Sequence, residues 1–243
     1  MSFSLFISDL HLAAERPRIV EQFFRFLSGP ARGAQGLYVL GDLFEYWVGD
    51  DDLDDPLNNS VAQAFAAVAA IGAAVYFMHG NRDLLVGQDF AARSSARLLG
   101  DPFLTDLHGT LTLLMHGDTL CTDDVEYQKF RAYARHPQNQ ARFLAQPVAA
   151  RHAEVEALRV RSESAKLGKA AEIMDVNVPA VEQALRQAGY PRLIHGHTHR
   201  PGRHVHRVDG HACERWVLGD WYENGSYLRC NESGCAAVTL RVS

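Results

Sequence analysis

Residues Ala73–Asp83 read AAVYFMHGNRD. A short apolar run, rich in aromatic and β-branched side chains, passes without a break into five polar or glycine positions. Such a run reads as a buried strand, and the Gly-Asn pair that closes it is turn chemistry. The same arrangement recurs along the chain. FSLFI (Phe3–Ile7) is followed at once by Ser-Asp-Leu-His, and GLYVLGD (Gly36–Asp42) ends on a carboxylate. TLTLLMHGD (Thr110–Asp118) and PRLIHGHTH (Pro191–His199) end on histidines and an aspartate. Helical spacing lies between strands: Ile19, Phe23, Phe26 and Leu27 share a stripe within Arg18–Leu27, and Val61–Ile71 is alanine-rich. Strands alternating with helices predict an α/β sheet. Ligand sites in such sheets gather outside the carboxyl ends of the strands. Five strand ends would therefore deliver polar side chains to one place.

The segment from about 122 to 176 differs. Helix formers dominate it and strand signals are missing, so it reads as a helical cap inserted between the fourth and fifth of these strands. After His199 come turns and short strands, with Asp209-Gly210 as a hairpin signal. The whole of 1–243 reads as a single unit carrying that insertion, and a chain this long buries a large core without disulfides. Four cysteines (Cys121, Cys213, Cys230 and Cys235) lack metal or redox spacing and read as reduced thiols of a cytoplasmic protein. The net charge of −5 argues against a dedicated nucleic-acid binder. The N-terminus is a poor signal peptide, and no stretch is apolar for long enough to span a membrane.

The strand-end residues are Asp9, His11, Asp42, Asn81, His116, His197 and His199. They offer carboxylates, imidazoles and one amide, a donor set suited to Mn²⁺ and also to Fe²⁺, Co²⁺ or Zn²⁺. Seven side chains are too many for one ion that must also hold water and substrate. Two ions sharing a carboxylate fit better, in the manner of paired-metal phosphoryl chemistry. The lone Asp42 of GDLFEYW is the candidate bridge. Taken singly, each motif has a commonplace reading as a cap, a turn or a structural histidine. It is the set of five, each after an apolar strand, that argues for a site.

That set resembles the calcineurin-like metallophosphoesterase family, with Asp9-Leu10-His11, Gly41-Asp42, Gly80-Asn81-Arg82-Asp83, His116 and Gly196-His197-Thr198-His199. The resemblance implies a four-layer α/β/β/α sandwich with two metal ions, Mn²⁺ or another divalent metal, at one edge. Further blocks are similar to a branch of that family acting in bacterial lipid A biosynthesis: SDLHL, GDLFEYWVGDD, HGDTLCTDD, YQKFR, IMDVN and HGHTHRP. This closer likeness implies hydrolysis of the pyrophosphate bond of UDP-2,3-diacylglucosamine. Metal-activated water would attack the α-phosphorus, releasing UMP and 2,3-diacylglucosamine 1-phosphate. One metal would take Asp9, His11, Asp42 and His199, and the other Asp42, Asn81, His116 and His197. Asp42, Asn81, Arg82 and His116 would be the catalytic set. Substrate would touch Asn81, Arg82, Asp124, Ser162, Lys166, Lys169 and His197. The lipid substrate implies a cytoplasmic protein held peripherally at the inner face of the inner membrane, and no protein partner is expected. Another calcineurin-like phosphodiesterase or nucleotide pyrophosphatase stays open, as does a non-catalytic scaffold of the same fold.

Further readings rest on the residues themselves. Arg82 is a permanent cation beside the ligands and suits a phosphate, with a surface ion pair to Asp83 as the plainer alternative. Asp83 and Asp118 are expected to orient Arg82 and His116. Asp50, Asp51, Asp54 and Asp55 read as a solvated turn. Tyr127, Phe130, Tyr133, Phe143 and Leu144 read mostly as the cap's own core, with an apolar opening between cap and sandwich for acyl chains.

Overall fold

The computed structural model describes residues 2–166 and 175–240, with 161–166 described by backbone alone. Four parallel strands lie side by side: β1 (Ser4–Ile7), β2 (Gly36–Leu40), β3 (Ala74–Met78) and β4 (Ala96–Leu99). A hairpin of β10 (Ser226–Asn231) and β11 (Gly234–Thr239) adds to β1 antiparallel and completes a six-stranded sheet. The second sheet has five strands in the order β5 (Phe103–Leu107), β6 (Thr110–Met115), β7 (Arg192–His195), β9 (His211–Val217) and β8 (Gly202–Val208). Its inner three are parallel and its edges antiparallel.

Alternation along these strands explains their unbroken apolar character. Leu5 and Ile7 face Phe23 and Phe26 of α1 (Pro17–Ser28) and Phe65 of α2 (Pro56–Ala70), together with Phe90 of α3 (Gln88–Ser94). Phe6, Tyr38, Leu40 and Met78 point the other way and meet Leu114 and Ile194 of the second sheet. The outer face of that sheet, through Leu113, Met115 and Leu193, packs on Val181 and Leu185 of a helix at Val178–Gln187. Helix, sheet, sheet and helix thus form the four layers that the motif pattern implied. Each fully buried Phe or Leu in these cores contributes about 1.5–3 kcal/mol.

Local signals set most helix starts. Pro17 occupies the first turn of α1, whose buried stripe is the one the spacing predicts. Helix α2 begins at Pro56, five residues before the alanine-rich run, because Asp55 accepts hydrogen bonds from the N–H groups of Leu57 and Asn58. Asp209 and Gly210 both have positive φ and turn the β8–β9 hairpin, as that pair predicts.

The insertion is helical: α4 (Val125–Ala134), α5 (Pro137–Leu144) and α6 (Val148–Lys166), which makes the helix at Val178–Gln187 α7. It has no core of its own in α4 or α5, where no residue is buried. Phe130, Tyr133 and Leu144 are 44%, 59% and 40% exposed, which corrects the expectation of a cap core. The cap helices turn Phe130, Tyr133, Phe143, Val155 and Leu158 to a cavity. Polar contacts anchor them instead. The buried Arg151 donates to the Val48 carbonyl at 2.5 Å and pairs with Asp51, while His152 meets Asp52 at 2.9 Å.

Of the acidic loop, Asp51, Asp54 and Asp55 are exposed as expected, but Asp50 is not simply solvated. Asp50 accepts from the N–H groups of Gly87, Asp89 and Phe90 at the start of α3 and from the Trp47 indole. Cys230 and Cys235 are also corrected: they face each other across β10 and β11 and form a disulfide, while Cys121 and Cys213 are buried thiols. A tight hairpin makes residues five apart direct neighbours, which spacing alone does not disclose. Among the described residues no helix is long and apolar enough to cross a membrane.

Candidate metal centre

The loops after β1, β2, β3, β6 and β7 converge at one end of the two sheets. Backbone bonds lace them together. The Asp9 and His11 N–H groups donate to the carbonyls of Gly41 and Asp42 at 3.1 and 3.0 Å, and the Gly196 N–H donates to that of His116 at 2.9 Å. Asp83, fully buried, accepts from the N–H groups of Gly80, Leu43 and Asp42 at 2.8, 2.7 and 3.3 Å. Its work is to bind the β2 and β3 loops to each other, not to orient Arg82 and not to pair with it.

Two glycines are dictated by this closeness. A Cβ on Gly80 would stand 2.1 Å from Asp42 Oδ1, and one on Gly196 would stand 2.4 Å from Asp9 Oδ2. Gly196→Ala is expected to lower the unfolding free energy of the metal-free protein by about 1–3 kcal/mol, the ordinary cost of overpacking. An unchanged denaturation midpoint would show that the loops yield there.

Five of the seven strand-end side chains sit on left-handed backbone: Asp9, His11, Asp42, His197 and His199 have φ between 50° and 69°. Non-glycine residues rarely adopt that region, and strained backbone of this kind clusters at functional sites.

The side chains fall into two groups. Ligand atoms of Asp9, His11 and His199 lie within 4.8 Å of one another, and so do those of Asp42, His116 and His197. Asp42 stands between them, with Oδ2 4.0 Å from His11 Nε2 and Oδ1 4.0 Å from His116 Nε2. Asn81 Oδ1 is 3.3 Å from His116 Nε2, and Asp9 Oδ1 is 3.4 Å from His199 Nε2. All seven residues singled out in the sequence are thus brought together. Asp9 Oδ1 and His11 Nε2 are buried with no hydrogen-bond partner. Buried polar atoms are seldom left that way, and a divalent cation is the species that this donor set would satisfy.

Charge and burial agree with such a site. Burial pushes His11 and His197 down to about 4, so both imidazoles are neutral, the form that binds metal. Burial also opposes a charge on His116, but the carboxylates of Asp42, Asp118 and Asp9 outweigh it and raise that group to about 9. A cation bound there would displace this proton. His116 Nδ1 is held at 2.8 Å by the Leu40 carbonyl rather than by Asp118. Asp118 instead accepts from the Tyr127 hydroxyl and from Arg131 Nε at 2.9 and 2.7 Å, tying α4 to the site. His195, the first of the three alternating histidines at 195, 197 and 199, belongs to neither group. That ring is buried, faces the Gly196 carbonyl at 2.8 Å and Arg215 at 3.1 Å, and is pushed by burial down to about 3.

A cavity of about 540 Å³ opens beside the ligands. Asp42, Asn81, Arg82 and His197 of the body line it, as do Tyr127, Phe130, Tyr133 and Phe143 of the cap, with the Tyr127 ring 5.5 Å from that of His197. Leu144, by contrast, is not among its walls. Asp124 lines it too and caps α4 by accepting from the Tyr127 N–H at 3.1 Å. Ser162, Lys166 and Lys169 lie outside the described residues and side chains. The Arg82 N–H donates to Asp42 Oδ1 at 2.8 Å, and its guanidinium lies 3.8 Å from Glu45, a buried carboxylate that Arg159 of the cap also approaches at 3.7 Å. Glu45 has no signal in the sequence beyond its place three residues after Asp42.

Residues 4–201 match the family model described as calcineurin-like phosphoesterase. A protein of Aromatoleum aromaticum named UDP-2,3-diacylglucosamine hydrolase is 56% identical over 98% of this chain and 96% of its own. Proteins of the same name from Stenotrophomonas maltophilia and Cellvibrio japonicus are each 48% identical, over 98% and 96% of this chain and 98% and 97% of theirs.

Proposed function

Because this chain belongs to the calcineurin-like phosphoesterase family, we propose that it hydrolyses the pyrophosphate bond of UDP-2,3-diacylglucosamine, a step in lipid A biosynthesis. The observation that carries the reading is the mixed lining of the cavity. Its walls hold five of the seven metal-type donors (His11, Asp42, Asn81, His197 and His199) and a permanent cation, Arg82, together with aromatic side chains of the cap. A nucleotide diphosphate bearing acyl chains needs both kinds of wall. The names of relatives at 48–56% identity over nearly the full length support the same substrate.

Asp9, His11, Asp42 and His199 would hold one divalent cation, and Asp42, Asn81, His116 and His197 the other, with Mn²⁺ favoured by the oxygen-and-imidazole donor set. When bound, the pair supplies positive charge and lowers the pKa of water. The chain's own part is positional. Asp83 and the interloop bonds keep the donors converged, and Asn81, His197 and Asp124 line the cavity. Arg82 faces the phosphates and offsets charge as it grows on the phosphoryl oxygens. Water adds to the α-phosphorus and the bond to the bridging oxygen breaks, leaving UMP and 2,3-diacylglucosamine 1-phosphate. The substrate places the protein at the cytoplasmic face of the inner membrane as a peripheral protein, with exposed Phe130, Tyr133 and Leu144 available to lipid.

Incubation with Mn²⁺ and UDP-2,3-diacylglucosamine in ¹⁸O-water is expected to yield UMP carrying the label. Label on the sugar phosphate would move the attack to the other phosphorus. Turnover of a generic phosphodiester but not of the UDP-lipid would overturn the substrate. Liposome flotation of the same preparation checks membrane docking, which a protein that stays unbound with and without substrate lipid would contradict.

A further inference from the structure

The two candidate cation positions are built differently behind their histidines. In the group with Asp42, the His116 ring is held from behind by a neutral backbone carbonyl, that of Leu40, at 2.8 Å. In the group with Asp9, both imidazoles are backed by carboxylates. Glu45 Oε2 faces His11 Nδ1 at 3.5 Å, and Asp220 Oδ2 faces His199 Nδ1 at 3.6 Å. Each of these histidines turns its other nitrogen inward, His199 Nε2 toward Asp9 and His11 Nε2 toward Asp42.

Asp220 is itself fixed. Its second oxygen, Oδ1, accepts from the Tyr222 N–H at 3.0 Å, which closes a tight turn at 220–222. That turn sets the Tyr222 ring against both imidazoles, stacked 5.4 Å from His11 at 17° and tilted 5.4 Å from His199. Arg16 covers the ring at 4.7 Å and donates to the carbonyls of His11 and Trp221 at 2.9 and 3.2 Å. The loop after β9 therefore clamps the β1 and β7 loops from outside the cavity. None of its residues lines that cavity.

A carboxylate behind a ligating histidine fixes its tautomer and raises its basicity, and its loss typically lowers metal affinity about 10–100-fold. We propose that Asp220, with Glu45 as its counterpart behind His11, is a positioning residue that makes the Asp9–His11–His199 position the tighter of the two. This rests on the paired-metal reading above.

Asp220→Asn separates the two jobs of that side chain. The asparagine oxygen still accepts from the Tyr222 N–H, so the turn survives, but an amide N–H₂ rather than an acceptor faces His199. Titration of the metal-free protein with Mn²⁺, followed by electron paramagnetic resonance, counts the sites and their affinities without reference to turnover. Wild type is expected to bind two ions. Asp220→Asn is expected to lose about 10–100-fold at one of them and nothing at the other, with an unchanged melting temperature in the metal-free state. Two wild-type affinities in the variant would overturn the proposal. So would equal weakening of both sites together with a lower melting temperature, the mark of a merely structural role. A wild-type protein that binds fewer than two ions would instead overturn the paired-metal reading itself.

Discussion

Asp42→Ala is expected to remove metal-dependent hydrolysis of the UDP-lipid almost completely, by at least about 10³-fold or ~4 kcal/mol of transition-state stabilisation. The size follows from its position. Among the described residues Asp42 is the carboxylate whose two oxygens face both groups, at 4.0 Å from His11 on one side and 4.0 Å from His116 on the other. Two cations a few ångströms apart repel, and a shared anion between them offsets that repulsion. Alanine leaves the repulsion in place and deprives each position of a donor. It also strips the Arg82 N–H of its acceptor. Bound manganese and turnover should fall together in this variant. Turnover near the wild-type level would end the bridging role, whatever the metal content.

Arg82→His is expected to lower kcat/KM for the UDP-lipid by about 10²–10³-fold while both metals remain bound. The split arises from two separate contacts of this residue. Its backbone N–H serves Asp42 at 2.8 Å, and any side chain preserves that bond. Its guanidinium reaches the cavity beside Glu45, and only the side chain supplies that charge. Enzymes expelling a basic alkoxide need a proton donor at such a place. A phosphate leaving group, with a second pKa near 6, departs without one. What a diphosphate requires is a cation that does not titrate, and arginine is that residue. Loss of bound metal in Arg82→His would make the side chain structural instead.

The seven donor positions are legible from the sequence because the relevant information is local. An apolar strand and the polar residues that follow it are contiguous, and the sheet topology carries each strand end to the same edge. The same locality accounts for α1 and for the Asp209-Gly210 turn. Where partners are distant, the reading fails. Asp51 and Arg151 are one hundred residues apart, and nothing near either announces the other. Asp83 and Asp118 are rightly seen as supporting groups but given the wrong partners, since their partners are the β2 loop and helix α4. Glu45 and Asp220 pass unnoticed because a carboxylate behind a histidine leaves no periodic trace. Helix α2 begins early because Asp55-Pro56 starts it before any apolar period exists. The cap misleads for another reason: apolar helix faces turned to a cavity and apolar faces turned to a core have the same spacing.

The left-handed backbone at Asp9, His11, Asp42, His197 and His199 bears on how such a protein ages in evolution. Each conformation costs about 1 kcal/mol in a non-glycine residue, and five together approach ~5 kcal/mol, the lower end of a domain's whole net stability. Glycine or asparagine at any of them would relax that strain. At His11, His197 and His199, whose side chains accept no backbone N–H bond, such a change is thus downhill for the backbone and ruinous only for the chemistry. A descendant released from its substrate would shed these residues first and become sturdier as it did so.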